Sequence, residues 1–194
     1  MKKLWMFLLL AGLVLGACSP QAAQPTSEPA APAAVETETQ APVDTSIKIT
    51  DALGREVTLA AAPQRIVITG KGLILILDAA YMFPEAAQRI VALGKASQGT
   101  GNFISLIDPG YDQKMLLEND AGAEQIAAAN PDLVILKSYL AETVGKPIEA
   151  LNIPVIYLDL ETPEQYTRDL AILGKVFQNE ARAKEMADFY LNKA

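Results

Sequence analysis

Short apolar segments alternate with helical patterns from residue 65 onward, and this alternation limits the possible fold more than any other feature. Four segments have the length and composition of strands: Arg65–Thr69, Ile90–Leu93, Leu133–Leu136 and Val155–Leu158. Three helical patterns lie between them: Leu73–Met82, Ala121–Ala129 and Val144–Leu151. The strand segments are apolar at successive positions, which is typical of a parallel sheet covered by helices on both faces. The sequence therefore predicts an α/β fold with a parallel sheet flanked by helices.

Two helices are predicted to close the chain. Thr162, Pro163 and Gln165 form a capping sequence, with proline at the first helical position and glutamine at the third. The helix that they begin is predicted to end near Phe177. Asn179 then caps a second helix, which is predicted to run to the end of the sequence at residue 194.

The N-terminus has the pattern of a secretory signal. Lys2 and Lys3 precede an apolar run over Leu4–Val14, which is too short to span a bilayer comfortably. The following Leu15–Cys18 segment resembles the bacterial lipobox, in which the cysteine is acylated and becomes the mature N-terminus. This resemblance implies that residues 1–17 are a signal peptide, that Cys18 is the lipidation site and that the protein is extracytoplasmic and lipid-anchored. A plain secreted protein is the alternative.

A composition change separates this signal from the folded part. Between residues 19 and 45 there are five prolines and no aromatic residue, so the segment cannot bury enough apolar surface to fold. We expect residues 18–46 to be a lipidated cysteine and a disordered tether. Alternating apolar residues in Ile47–Thr50 and Glu56–Leu59 then predict a β-hairpin at the start of the folded region.

Charge and residue usage exclude several classes of function. The formal net charge of −7 argues against a nucleic-acid partner. The sequence has no histidine and only one cysteine, which removes the usual zinc ligands, a histidine base and intrachain disulfides. No carboxylate pair has the spacing of a glycosidase or a metal site, and no nucleotide-binding loop is complete. We therefore predict no catalytic residue, metal or cofactor.

Three stretches of the sequence together resemble one family. They are Thr50–Val57 with Pro63–Val67, Gly122–Ile126 with Asn130–Ile135, and Leu151–Val155 with the helix that begins after Thr162. The chain resembles the substrate-binding lipoproteins of ABC importers for ferric siderophores, haem, cobalamin and some oxyanions. This resemblance implies a two-lobed protein that holds its ligand between the lobes and delivers it to an ABC permease and its ATPase.

The resemblance also sets the expected domain organisation. It implies that residues 47–178 form the N-terminal ligand-binding lobe and that residues 179–194 begin the interlobe helix, with the C-terminal lobe absent. Glu124 matches a family glutamate that docks onto arginines of the permease. Its place in the first turn of a helix is equally explained by the helix dipole. The alternatives are a single-lobe anchored adaptor and, less favoured without histidine or a nucleophile elbow, a hydrolase.

Candidate ligand-binding residues follow the carboxyl ends of the predicted strands, where open α/β sheets bind ligands. Lys71, Lys95 and Lys137 each follow such a strand, and together they would favour an anionic ligand. The same loops contribute four further candidates: Ser97, Gln98, Asn102 and Tyr139. The alternatives are that the lysines are solvated, that the loops are plain turns and that Tyr139 covers the sheet edge. Asp159 and Glu161 are predicted to be ordinary loop residues, with a position that faces the cleft left open.

Overall fold

Seven strands form two separate sheets in the computed structural model, which describes residues 45–95 and 103–193. An antiparallel hairpin pairs β1 (Ile47–Thr50) with β2 (Glu56–Leu59). The second sheet is parallel and contains β3 (Ile66–Ile68), β4 (Ile90–Gly94), β5 (Met115–Leu117), β6 (Leu133–Lys137) and β7 (Val155–Leu158). Its strand order is β5-β4-β3-β6-β7. The sheet is thus of the open α/β kind.

Within the described residues, seven α-helices connect or follow these strands. They are α1 (Ile74–Ala80), α2 (Ala86–Arg89), α3 (Ile104–Ile107), α4 (Ala123–Ala127), α5 (Lys146–Glu149), α6 (Pro163–Phe177) and α7 (Glu180–Leu191). Short 3₁₀ turns cover Tyr111–Gln113 and Ser138–Leu140, and a π-helical turn covers Ala141–Gly145.

The parallel sheet separates two hydrophobic clusters. Ile66 and Ile68 of β3 point into one cluster, which also contains residues of α1, α6 and α7, whereas Val67 points into the other, with residues of α4 and α5. Because successive side chains of a strand point to opposite faces, both faces need apolar residues. This three-layer arrangement explains the unbroken apolar strands and confirms the predicted fold class.

The starts and N-caps of the two closing helices are confirmed, but α7 ends at Leu191 and does not run on to residue 194 as predicted. Thr162 Oγ1 accepts a hydrogen bond from the amide of Gln165, and Gln165 Oε1 accepts one from the amide of Thr162. Asn179 caps α7 by accepting from the amide of Arg182 at 3.1 Å. Helix α7 packs against α6 so closely that a Cβ on Gly174 would lie 2.7 Å from the Cβ of Ala183. These two helices therefore form one layer on the sheet.

Three elements were not predicted. Strand β5 is only three residues long and lies at the sheet edge, where Met115 and Leu116 are largely exposed. Helices α2 and α3 have four residues each, about one turn, which is too short for a helical hydrophobic period to be visible. The hairpin and the four predicted strands of the parallel sheet are confirmed within one residue at each end.

Candidate functional site

The strand order places a topological switch point at the carboxyl ends of β3 and β6. From β3 the chain adds β4 and β5 on one side, and it then crosses to the other side of β3 to form β6 and β7. The loops that follow β3 and β6 therefore leave the sheet in opposite directions. In open α/β sheets this switch point is where ligands bind.

The two loops at the switch point contact each other. The hydroxyl of Tyr139, after β6, donates a hydrogen bond of 2.7 Å to the backbone carbonyl of Lys71, after β3. Gly72 has a left-handed φ of 70°, and a Cβ there would lie 2.9 Å from the Tyr139 hydroxyl oxygen. Tyr139 remains 61% exposed. The ring thus joins the two loops by its hydroxyl and still presents most of its surface to solvent.

Lys137, the last residue of β6, is almost fully buried. Its Nζ donates hydrogen bonds to the backbone carbonyl of Asp159 and to the carboxylate of Glu161, both of which follow the neighbouring strand β7. The Lys137 side chain is 2% exposed, whereas that of Glu161 is 60% exposed. The lysine is therefore a buried cation whose counter-ion is a solvent-facing carboxylate.

The loop after β7 is held by the buried carboxylate of Asp169 on α6. It accepts hydrogen bonds from the amides of Asp159 at 2.7 Å and Leu160 at 2.9 Å. Leu160 has a left-handed φ of 59°, a conformation that is costly for a residue with a Cβ. Hydrogen bonding to Asp169 raises the pKa of Arg168, which also contacts Asp159 at 3.0 Å. Asp169 thus fixes the loop that supplies both partners of Lys137.

The two other predicted lysines differ from Lys137. Lys95 follows β4 and forms an exposed ion pair with Glu118, which follows β5. Lys71 is exposed and has no carboxylate partner among the residues that the structure describes. The sheet edge therefore carries the three predicted lysines, but two of them face carboxylates from a neighbouring loop. Ser97, Gln98 and Asn102 lie outside the described residues.

Glu124 lies in the first turn of α4, as predicted, and is exposed. Gly122 is the N-cap residue of this helix, and its amide donates to Gln125 Oε1 at 2.9 Å. Because α4 follows β5, Glu124 lies on the helix that leaves the carboxyl edge of the sheet. Cys18, the predicted lipidation site, lies outside the described residues.

Sequence reasoning missed the importance of Glu161, Arg168 and Asp169. A signal for Asp169 was present, because it shares the apolar stripe of α6 with Ile172, Leu173 and Val176. A charged residue on such a stripe indicates a buried and partnered carboxylate. The ion pair between Glu161 and Lys137 could not be predicted from the sequence, since it depends on which strands are neighbours in the sheet.

Within residues 45–95 and 103–193, no three His, Cys, Asp or Glu side chains lie close enough together to hold a metal ion. No helix in these ranges has the length and apolar character to cross a membrane.

Comparison with known proteins decides the family. A family model for periplasmic binding proteins matches residues 84–194, more than half of the chain. The chain belongs to the periplasmic binding protein family. No protein of curated function matches this sequence.

Solved structures of periplasmic binding proteins share this fold. The TroA-like periplasmic binding protein FepB from Veillonella parvula is 26% identical, with a TM-score of 0.62 over 75% of this chain and 46% of that one. Molybdate-bound MolA from Haemophilus influenzae is 20% identical, with a TM-score of 0.60 over 73% and 49%. Staphylococcus aureus SirA, complexed with staphyloferrin B, is 19% identical, with a TM-score of 0.56 over 76% and 47%. This periplasmic binding protein thus spans about half the length of the structures that it matches.

Proposed function

We propose that this chain is the N-terminal lobe of an extracytoplasmic, lipid-anchored solute-binding protein that serves an ABC importer. The family membership supports a binding role, and the coverage of about half of each related structure supports a single lobe. In this role the protein captures its ligand reversibly and performs no catalysis. The ligand classes that the resemblance implies are iron chelates, haem, corrinoids and oxyanions.

The observation that carries this proposal is the meeting of two loops at the switch point of the sheet. Lys71 follows β3, whereas Lys137 and Tyr139 lie at the end of β6, and the two loops meet through the hydrogen bond from Tyr139 to the Lys71 carbonyl. Two cations and an exposed aromatic ring suit a ligand that has anionic groups on a flat or metal-bound framework. Lys95 lies one strand away at the same edge.

One lobe supplies only part of the contacts that a ligand between two lobes would have. We therefore expect weak binding, with dissociation constants nearer to about 1 mM than to about 1 μM, a difference of about 4 kcal/mol in binding free energy. Equilibrium dialysis of the chain against haem, cobalamin, a ferric siderophore and molybdate tests this expectation. The proposal predicts weak retention of one class. Micromolar affinity would contradict the single-lobe assignment. The binding role would be contradicted if none of the four ligands bound, or if the chain converted one of them chemically.

Docking to a permease is the second part of the proposal and rests on Glu124. Its matched control is Glu164, which also lies exposed in the first turn of a helix but on α6. If Glu124 forms an ion pair with a permease arginine, Glu124→Ala weakens co-purification with the permease and Glu164→Ala does not. Equal effects of the two substitutions would assign Glu124 to the helix dipole alone.

A further inference from the structure

We propose that Glu161 is an internal competitor of the ligand: its carboxylate occupies the anion site of Lys137 and is displaced when an anionic ligand binds. This inference rests on the proposed binding function and specifies which group the ligand must replace. It concerns a single ion pair at the carboxyl edges of β6 and β7.

The buried side chain of Lys137 needs a counter-ion. Its side chain is 2% exposed, and a buried ammonium without an opposite charge is strongly unfavourable. An ammonium has three protons to donate, and the described residues supply two acceptors, the Asp159 carbonyl and the Glu161 carboxylate. Only one of these two acceptors carries a charge. An anion must therefore be present at Nζ, whether it belongs to the protein or to a ligand.

The two members of this ion pair differ in their exposure to solvent. The Glu161 side chain is 60% exposed, so it can move into water and regain its hydration, whereas Lys137 cannot. The Asp159 carbonyl is part of the backbone that Asp169 holds through two amides, and it stays in place. Of the two acceptors of Lys137 among the described residues, Glu161 is thus the one that can move away.

One side of the Lys137 side chain is closed by the loop after β3. A Cβ added to Gly72 would stand 3.8 Å from Lys137 Cε and 3.9 Å from Cγ but only 2.9 Å from the Tyr139 hydroxyl oxygen, so there is no room for a further group between these loops. The acceptor of Nζ that solvent reaches is the carboxylate of Glu161, whose side chain is 60% exposed. A ligand carboxylate or oxyanion therefore reaches Nζ by taking the position that Glu161 holds.

The chain offers a matched control for this exchange. Glu118 also pairs with a lysine at the same sheet edge, but Lys95 is 51% exposed and does not depend on its partner. Removing the charge of Glu118 changes the electrostatic potential of the edge by the same formal charge. Any effect specific to Glu161 must therefore exceed the effect of the same change at Glu118.

The experiment measures the affinity of the chain for molybdate, used as an anionic probe, by NMR titration. Glu161→Gln removes the competing charge and keeps an acceptor for Lys137, so we expect at least about fivefold tighter binding. We expect Glu118→Gln to change the affinity less than about twofold. The last comparison uses the Lys137→Met variant, in which an uncharged side chain of similar length replaces the buried cation. In this variant, adding Glu161→Gln is expected to leave the affinity for molybdate unchanged.

The outcomes separate this inference from the binding function. Equal molybdate affinities of the wild type and Glu161→Gln, or equal gains from Glu161→Gln and Glu118→Gln, would overturn the inference and leave the binding function standing. Failure of molybdate to bind to either protein would also overturn the inference, while the dialysis with haem, cobalamin and a ferric siderophore would still decide the function.

Discussion

Gly72 lies so close to Tyr139 that a Cβ on residue 72 would stand 2.9 Å from the phenolic oxygen. The loops after β3 and β6 are therefore packed to the limit that glycine allows. This contact sets how near the backbone at Lys71 comes to Tyr139, whose hydroxyl donates to the Lys71 carbonyl at 2.7 Å.

Replacing Gly72 by alanine is expected to destabilise the protein by about 2–3 kcal/mol, because alanine meets both a left-handed φ and a steric conflict. Gly54 is the matched control, since its φ is 75° and a Cβ added there would meet nothing within 4 Å beyond its chain neighbours. Gly54→Ala is expected to cost about 1 kcal/mol from conformation alone. Urea unfolding measures both values.

The same experiment can test the steric part separately. Tyr139→Phe removes the hydroxyl oxygen that the new Cβ would meet, so the double variant Gly72→Ala/Tyr139→Phe is expected to recover part of the loss. If the two glycine variants are equally destabilised and the double variant recovers nothing, the loops are not in the contact described here.

Asp169 is expected to be essential for the loop after β7. In the wild type Asp169 Oδ2 accepts from both amides and Oδ1 accepts from Arg168 Nε. Asp169→Asn keeps one oxygen for the amides but removes the charge and sets an NH2 donor against the Arg168 guanidinium, so we expect a loss of about 2–3 kcal/mol. Asp188→Asn is the control, because Asp188 forms only an exposed ion pair with Lys184 on α7, and its loss is expected to cost under about 0.5 kcal/mol. Thermal unfolding compares the two variants. A small effect of Asp169→Asn would contradict the assigned role.

Stability is expected to fall in acid through Asp108. Burial of this carboxyl opposes its ionisation, but hydrogen bonds from Tyr81, the Gly110 amide and Lys114 outweigh that effect and hold the pKa of Asp108 below its ordinary value. The stabilisation is therefore complete above the unfolded-state pKa of about 3.9 and is lost as the pH falls through the folded-state pKa.

The check is the pH dependence of the free energy of unfolding for the wild type and two variants. Asp108→Asn is expected to cost about 3 kcal/mol at neutral pH, since it leaves the buried Lys114 without its counter-ion, and to flatten the acid limb. Asp112→Asn, at an exposed position in the next turn, is expected to retain the wild-type profile. An unchanged acid limb in Asp108→Asn would show that other carboxyls govern the acid response.

The predicted acylation of Cys18 can be tested in cells that express the gene with its own leader. Labelled palmitate is expected to be incorporated into the wild type and not into Cys18→Ser, and the variant is expected to leave the membrane fraction. Export of an unlabelled wild-type protein cleaved before another residue would favour the alternative of a plain secreted protein.

Much of the fold could be predicted because the strands are buried on both faces. Unbroken apolar runs such as Leu133–Leu136 are typical of strands between two helical layers, and the capping sequence at Thr162 marks a helix start directly. Strand β5 could not be found in this way, since it lies at the edge and two of its three residues are exposed.

The site could be predicted only in part. Strand ends placed Lys71, Lys95 and Lys137 at one edge, because all of the strands that precede them are parallel. No local sequence pattern predicts the order of the strands in the sheet. That order places Glu161 beside Lys137 and Glu118 beside Lys95. The sequence therefore indicated the cations of the site but not the carboxylates that face them.

The most direct test of the proposed ligand site is an NMR map of backbone amide shifts while a ligand retained in dialysis is titrated into the chain. We predict that the largest changes fall on residues 70–72 and 137–139, at the carboxyl ends of β3 and β6. Changes confined to the opposite edge of the sheet, or to the surface of α6 and α7, would contradict the account.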